Sequence, residues 1–133
     1  MKSEGGWIKF TNEKEKLVRT LNLKHLFLGE IDQGSLKGFH HAKSYPDRII
    51  KITRPPDKFG IYEAIYEWKG LSKKSTFFPD QWSRDKVLKK VNEACNNIIV
   101  RQQNGFIGKT TEGIEIQFWF NKDSTIASIY PYM

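Results

Sequence analysis

The sequence is poor in several features on which whole classes of protein depend. Its 133 residues include one cysteine, Cys95, so an internal disulfide and a cysteine-based metal site are excluded. We expect this thiol to be buried as a small apolar side chain. No apolar run approaches the roughly 18 residues that a membrane helix needs. The chain also contains no phosphate-binding glycine loop, no serine nucleophile elbow and no HExxH motif, which excludes several common enzyme classes.

Positive charge and aromatic side chains are plentiful instead. The net charge is +7, and aromatic residues make up 14% of the chain, which argues against disorder. The length fits a single domain over residues 1–133, and the start, MKSEGGWIKF, is typical of an excised domain rather than of a signal peptide. The surplus of Lys and Arg favours a polyanionic partner or an acidic protein inhibitor. A soluble basic protein without a nucleic-acid role stays an alternative.

Hydrophobic patterning predicts an α+β fold, with a helix first and mostly antiparallel strands later. Asn12 followed by Glu15 suits a capping box, so a short helix is predicted over about 12–22. Ser83 is expected to cap a central amphipathic helix over 84–96. The segment 25–31 is predicted as a strand or a buried loop, and 70–80 as irregular. Strands are expected over 48–53 and 60–68, followed by a β-meander over 97–102, 106–109, 113–121 and 125–130 with a turn at Asn121–Ser124.

All three histidines lie in one segment, 25–41, which reads HLFLGEIDQGSLKGFHH. The turn-like Asp32–Ser35 would let the two ends of this segment meet. Two imidazoles held together can act as general base and general acid, because histidine titrates near pH 6.5. Gly38 permits an unusual backbone conformation or a close approach just before His40. A chance clustering in a hydrophobic hairpin is the competing interpretation.

Further residues could complete such a site. A lysine from Lys73-Lys74 could reach a phosphate, although a solvated charge pair is the ordinary alternative. Tyr130 could stack on a nucleobase, or it could simply pack at the end of a strand. A metal site built from His25, His40 and His41 is a weaker alternative, because no acidic residue has a diagnostic spacing to them.

Four motifs in order resemble the EndoU endoribonucleases, and specifically the bacterial toxin domains found at the C-termini of contact-dependent growth inhibition effectors. Together they cover residues 24–131, and the step of fifteen residues from His25 to His40 is similar to that of the family. The motifs are His25-Leu26-Phe27-Leu28-Gly29-Glu30, Gly38-Phe39-His40, Lys73-Lys74-Ser75-Thr76-Phe77-Phe78-Pro79-Asp80 with the helix after it, and the strand Gly113–Phe120 with Ser128-Ile129-Tyr130-Pro131. The resemblance implies an EndoU fold, akin to that of RNase A.

The resemblance also implies catalytic roles. His40 would be the general base on the ribose 2′-OH and His25 the general acid, with His41 as an alternative to His40. Lys74 would stabilise the phosphate, with Lys73 as its alternative. No metal is implied by the residues, although some relatives respond to manganese. We expect the site in a cleft between the N-terminal helical part and the C-terminal sheet.

Substrate and partners follow from the same resemblance. Tyr130 would pack on the sugar or base beside the cleaved bond, and Ser128 would hydrogen-bond the base. The substrate would be tRNA, cut next to uridine to leave a 2′,3′-cyclic phosphate and a 5′-hydroxyl. The domain would be released from a larger secreted or cell-surface effector into the cytoplasm of target bacteria. There, as a monomer, it would be neutralised by a cognate, acidic immunity protein.

Two functions without catalysis compete with this hypothesis. A basic RNA-binding module would bind RNA in a salt-sensitive manner without producing new ends. A protein-interaction domain would use its basic face for an acidic partner and have little affinity for RNA.

Overall fold

The computed structural model describes residues 6–123 and 125–133, and it is α+β as predicted. Every pairing between its strands is antiparallel, within the part of the chain that is described. No helix in these residues is long and apolar enough to cross a membrane. Residues 1–5 and Ser124, which the predicted domain start and turn include, lie outside the described residues.

The helices are α1 (Leu23–Phe27), α2 (Arg84–Cys95) and a 3₁₀ helix (Pro46–Arg48), and the strands are β1 (Trp7–Asn12), β2 (Leu17–Asn22), β3 (Glu30–Asp32), β4 (Ser35–Lys37), β5 (Ile49–Arg54), β6 (Tyr62–Trp68), β7 (Leu71–Phe77), β8 (Ile98–Gln102), β9 (Gly105–Lys109), β10 (Glu115–Phe120) and β11 (Ile126–Pro131).

The chain begins with a β-hairpin, so the helix predicted over 12–22 is wrong. β1 and β2 pair along their whole length. The expected capping contact does form, because the Asn12 side chain accepts a hydrogen bond from the Glu15 amide at 3.0 Å. It closes a turn rather than a helix, since Lys16 has a positive φ of 55° and sends the chain back. The side-chain Nδ2 of Asn12 also donates a hydrogen bond to the Cys95 carbonyl, and this bond anchors the hairpin on α2.

The histidine segment starts with a helix, where a strand or a buried loop was expected. The Asn22 side chain caps α1 by accepting a hydrogen bond from the Lys24 amide. The short strands β3 and β4 then form a hairpin, and the predicted turn at Asp32–Ser35 is confirmed. This hairpin returns the chain towards α1, so the two ends of the segment meet.

The middle of the chain forms a three-stranded sheet in the order β5-β6-β7. The two predicted strands are present as β5 and β6, but the prediction of an irregular 70–80 is wrong. β7 pairs with β6 from Leu71 to Phe77 without a break in register. The turn between them is Lys69-Gly70, and both residues have positive φ, as a two-residue hairpin turn requires.

The C-terminal half agrees with the prediction. The Ser83 side chain caps α2 by accepting a hydrogen bond from the Lys86 amide, and Cys95 is buried at the end of that helix. The β-meander is confirmed as a four-stranded sheet in the order β11-β10-β9-β8. Its β11 lies next to β7, where the Thr76 hydroxyl donates to the Pro131 carbonyl at 2.7 Å.

Two clusters of buried apolar side chains hold these parts together. The larger one lies between α2, the β1–β2 hairpin and the C-terminal sheet. The smaller one lies under the three-stranded sheet, where Phe39 packs on Tyr66 and Phe77. The segment from His25 to His40 joins the two clusters, because Leu26 belongs to the first and Phe39 to the second.

The close approach predicted at Gly38 is confirmed. Its φ is +74°, and a Cβ built there would lie 2.0 Å from the His25 carbonyl oxygen. This approach lets the Phe39 amide donate to the same oxygen, and the His40 amide to the Leu26 carbonyl, both at 2.9 Å. A side chain at position 38 would therefore break the crossing that places His40 beside His25.

Replacing Gly38 is expected to destabilise the fold far more than replacing a glycine that has only a positive φ. Gly34 is the matched control, because its φ is +77° and a Cβ added to it would meet nothing within 4 Å. Gly34→Ala should lower the free energy of unfolding by about 1 kcal/mol, the cost of the left-handed conformation. Gly38→Ala should cost several times more in urea unfolding, and equal losses in the two variants would contradict the crossing as described.

Candidate active site

Five of the seven residues that the sequence analysis gave a catalytic or substrate-binding role line one cavity of about 510 Å³. They are His25, His40, Lys73, Ser128 and Tyr130. The cavity lies between the α1 and β3–β4 segment, the strand β7, and the strands β10 and β11 of the C-terminal sheet. The expected cleft against the C-terminal sheet is thus present, but the N-terminal element beside it is the His25 segment and not the helix predicted over 12–22.

His25 is buried at the end of α1 and is oriented by a carboxylate. Its Nδ1 lies 2.7 Å from the Glu30 Oε1, so Nδ1–H donates to this acceptor. The other ring nitrogen, Nε2, is buried and has no hydrogen-bond partner among the described residues. This hydrogen bond fixes the orientation of the ring and leaves Nε2 as the nitrogen that can exchange a proton with a bound ligand. The unpartnered Nε2 is therefore a candidate proton donor to a bound ligand.

The surroundings of His40 prepare it to accept a proton rather than to donate one. Its Nδ1 lies 2.9 Å from the Thr76 carbonyl oxygen and 3.0 Å from the Ser75 hydroxyl. A carbonyl can only accept, so Nδ1 carries the hydrogen and Nε2 keeps its lone pair. Burial, opposed by the Thr76 hydrogen bond and aided by the charges of His25 and Lys73, lowers the pKa of His40 to about 3. His40 is thus neutral near pH 7 and can accept a proton at Nε2.

His41, the alternative to His40, is directed into the core. Its Nε2 lies 2.8 Å from the Trp82 carbonyl, and its ring packs edge-on against Phe27. Burial lowers its pKa against the opposing effect of the Trp82 hydrogen bond. It does not line the cavity, so the spacing argument selected the histidine that the structure places there.

The preference for Lys74 over Lys73 is not supported by the position of the side chains. On β7, Lys73 pairs with Tyr66 on the inner face of the sheet and lines the cavity. Lys74 pairs with Ile65 on the other face, is exposed, and does not line the cavity. Since side chains alternate along a strand, only one of two adjacent lysines can face the site. Burial and the charge of Lys37 lower the pKa of Lys73.

Ser128 and Tyr130 line the cavity from the strand β11. They alternate with the buried Ile129 on β11, so both face the cavity. The Tyr130 ring lies 5.4 Å from the ring of His40, and its hydroxyl accepts a hydrogen bond from the Trp119 indole at 2.9 Å. The indole fixes the tyrosine ring beside His40, the candidate general base. This position is compatible with the predicted contact of Tyr130 with a sugar or a nucleobase.

Several residues of the site were missed by the sequence analysis. Glu30 orients His25, Ser75 and Thr76 orient His40, and Lys37 and Trp119 line the cavity. Glu30 and Lys37 lie at the edges of the two histidine motifs, which was a usable signal. Trp119 gave no such signal, because its cross-strand pairing with Ser128 depends on the register of β10 and β11.

The described residues contain no obvious set of metal ligands. No group of three His, Cys, Asp or Glu side chains converges in residues 6–123 or 125–133. His25, His40 and His41 do not form one, since His41 binds the Trp82 carbonyl on the far side from the cavity.

The model of a family described as Bacterial EndoU nuclease matches residues 20–133. The chain belongs to this family. It is an endoribonuclease of the EndoU type, and this argues against the alternative that it is an RNA-binding module without catalysis. A curated protein from Bacillus cereus, named Toxin, is 35% identical to this EndoU chain over 122 residues. The match covers 85% of this chain and 22% of that protein, so the chain spans about a fifth of its length. A search of the solved structures found no match.

The EndoU site therefore offers a proton acceptor and a candidate proton donor on one cavity, with two ammonium groups beside them. His40 and His25 are held close together by the backbone hydrogen bonds from Phe39 to His25 and from His40 to Leu26. Lys73 and Lys37 supply the positive charge. An acceptor, a donor and a cation are the groups that phosphodiester transesterification requires.

The burial of His40 predicts a specific loss of stability in acid. Its pKa is about 3 in the folded chain and near 6.5 when exposed, so between these values the unfolded state binds one more proton. The free energy of unfolding should fall by up to about 1.4 kcal/mol per pH unit from this group as the pH decreases through that window. His40→Asn keeps a donor for the Thr76 carbonyl but does not titrate.

Urea unfolding of both proteins between pH 7 and pH 4 measures this difference. The slope of stability against pH should be shallower for His40→Asn, while His41, also with a lowered pKa, keeps part of the slope in both. Identical slopes would show that His40 is not held neutral by its burial.

Proposed function

We propose that this chain is the RNA-cleaving domain of a toxin that cuts tRNA next to uridine. One observation carries the mechanism: two imidazoles on the same cavity are prepared for opposite proton transfers. The Thr76 carbonyl fixes the tautomer of His40 that has a free lone pair at Nε2, and Glu30 orients His25, whose Nε2 has no partner among the described residues. The toxin role is supported by the similarity to the Bacillus cereus protein of that name.

The reaction begins with removal of the 2′-OH proton by His40 Nε2. The 2′-oxygen then attacks the adjacent phosphorus, and its new bond to phosphorus replaces the bond to the 5′-oxygen of the next nucleotide. His25 donates its Nε2 proton to that departing oxygen. The products are a 2′,3′-cyclic phosphate and a 5′-hydroxyl, with His40 protonated and His25 neutral until solvent exchanges the protons.

The phosphate oxygens gain negative charge during this attack, and lysine stabilises them. Lys73 is our candidate for this role, since it is partly buried on the inner face of β7 and its charge is little screened there. Lys37 adds a second ammonium group on the same cavity. In this proposal the imidazoles and lysines carry out the reaction without a metal ion.

Base recognition is proposed for β11. The Tyr130 ring, held by the Trp119 indole, would stack on the uridine or its sugar beside His40. The Ser128 hydroxyl faces the same cavity and can both donate and accept, so it can hydrogen-bond an edge of the base. These contacts would place the 2′-OH of that nucleotide at His40.

A partner and a route of delivery complete the proposal. The net charge of +7 favours an acidic immunity protein that binds the monomeric domain, and a basic or neutral cognate would contradict this. The great length of the Bacillus cereus relative fits a domain carried by a larger effector into target bacteria.

Cleavage of total tRNA in EDTA tests the reaction directly. The wild-type chain should produce discrete fragments that end in 2′,3′-cyclic phosphate and begin with 5′-OH, and His25→Ala should produce none above background. Mapping the ends identifies the cut sites and the base before each cut. Cleavage that appears only when manganese is added would keep the nuclease and refute metal independence, whereas activity in His25→Ala would refute its role as the acid.

The adjacent lysines provide a matched pair of variants. Lys73→Ala should lower kcat by at least about 100-fold, since it removes a cation beside the transition state. Lys74→Ala removes the same charge from the neighbouring residue, and it should lower kcat less than about threefold because the side chain faces away from the cavity. The reverse ranking would restore Lys74 as the catalytic lysine. Circular dichroism and urea unfolding of both variants separate loss of activity from loss of fold.

A further inference from the structure

We propose that a second cavity, on the other side of His25, binds the nucleoside that leaves with the 5′-oxygen. This cavity has a volume of about 460 Å³ and shares His25, Lys37 and Ala127 with the first one. The inference rests on the proposed function, because it assigns a place to the nucleotide after the cleaved bond.

The position of His25 between the two cavities gives the direction of the RNA. The nucleotide that supplies the 2′-OH must lie at His40 and Tyr130, in the first cavity. The 5′-oxygen of the following nucleotide must lie at the proton donor, His25. The rest of that nucleotide continues beyond His25, and the cavity on that side is the second one.

The lining of the second cavity suits a nucleoside and not a phosphate. Its polar side chains include those of Asn22, Glu30, Asp32, Asn121 and Thr125. Two of these are carboxylates, which repel an anion but accept hydrogen bonds from base N–H groups and ribose hydroxyls. Lys37 is the one Lys or Arg among the described residues that line this cavity, and it lies at the border with the first. The first cavity has two lysines, Lys37 and Lys73, against one carboxylate, Glu63, so positive charge predominates on the side where the phosphate would lie.

Trp7 gives the cavity a surface on which a base can stack. Its side chain is 61% exposed and lines the cavity. Trp7 pairs with Asn22 across the β1–β2 hairpin, so both side chains lie on the same face. A bridge between Thr20 and Thr125 holds this hairpin against the turn that contributes Asn121. Exposed aromatic rings are the usual stacking surface for unpaired bases.

The stacking surface of Trp7 lies outside the part of the chain that the family model matches. That match begins at residue 20, and Trp7 precedes it. The proposed subsite is therefore a feature of this chain in which an N-terminal hairpin extends the shared active site, and it would select for a nucleotide that follows the cut.

Two substrates separate the subsite from the chemistry. Uridylyl-(3′→5′)-adenosine has a leaving nucleoside, whereas uridine 3′-(methyl phosphate) has the same uridine and phosphodiester but only methanol as leaving group. Trp7→Ala should lower the ratio of kcat/KM for the dinucleotide to that for the methyl ester by about tenfold. Trp7→Phe should restore most of the ratio. Val18→Ala, which removes an exposed apolar side chain elsewhere on the hairpin, should leave the ratio as in the wild type.

A binding measurement gives an independent readout. A dinucleotide of 2′-deoxyuridine followed by 2-aminopurine lacks the attacking hydroxyl, so it binds without being cleaved. Its fluorescence should be quenched by the wild-type chain and by Trp7→Phe, and much less by Trp7→Ala at the same bound fraction. An unchanged ratio and equal quenching in Trp7→Ala would overturn the subsite while leaving the nuclease in place. A wild-type chain that cleaves neither substrate would overturn the proposed function and the subsite with it.

Discussion

The active site depends on the close crossing of two backbone segments at His25 and Gly38. The His25 carbonyl accepts the Phe39 amide, and the absence of a side chain at Gly38 allows the approach. Phe39 itself has a positive φ of 64°, which a bulky residue adopts only when its surroundings stabilise it. Its ring is fully buried against Tyr66 and Phe77. Core packing thus holds the strained backbone that places His40 beside His25.

The two histidines of the cavity have hydrogen-bond partners that differ in charge. A backbone carbonyl fixes the tautomer of His40 without adding a full negative charge, so burial keeps the ring neutral. A carboxylate orients His25 through Nδ1 and leaves Nε2 without a partner among the described residues. In the proposed mechanism the same residue type serves as base and as acid, and the two rings are distinguished by their partners, Thr76 and Glu30.

Charge is distributed unevenly around the site, in a way that the net charge of +7 does not reveal. Two lysines, Lys37 and Lys73, and one carboxylate, Glu63, line the first cavity, where a phosphate would lie, whereas the second has two carboxylates, Glu30 and Asp32, and only Lys37 among its lysines. The surplus of lysine and arginine on the chain would attract an RNA from a distance. The placement of a few acidic side chains would then decide which part of the RNA lies in which cavity.

The sequence was sufficient to predict the α+β class, the helix capped by Ser83, the C-terminal meander and the meeting of His25 and His40. These depend on local periodicity, on capping residues and on motif spacing, all of which can be read along the chain. Long-range structure makes Asn12 and Glu15 close a hairpin, because that turn is stabilised by hydrogen bonds to the distant residues Cys95 and Asn96. It also brought Lys73 rather than Lys74 to the cavity, since the face of a strand is set by its register with a partner strand. Local patterns name the residue types of a site, whereas long-range pairing decides which of them meet.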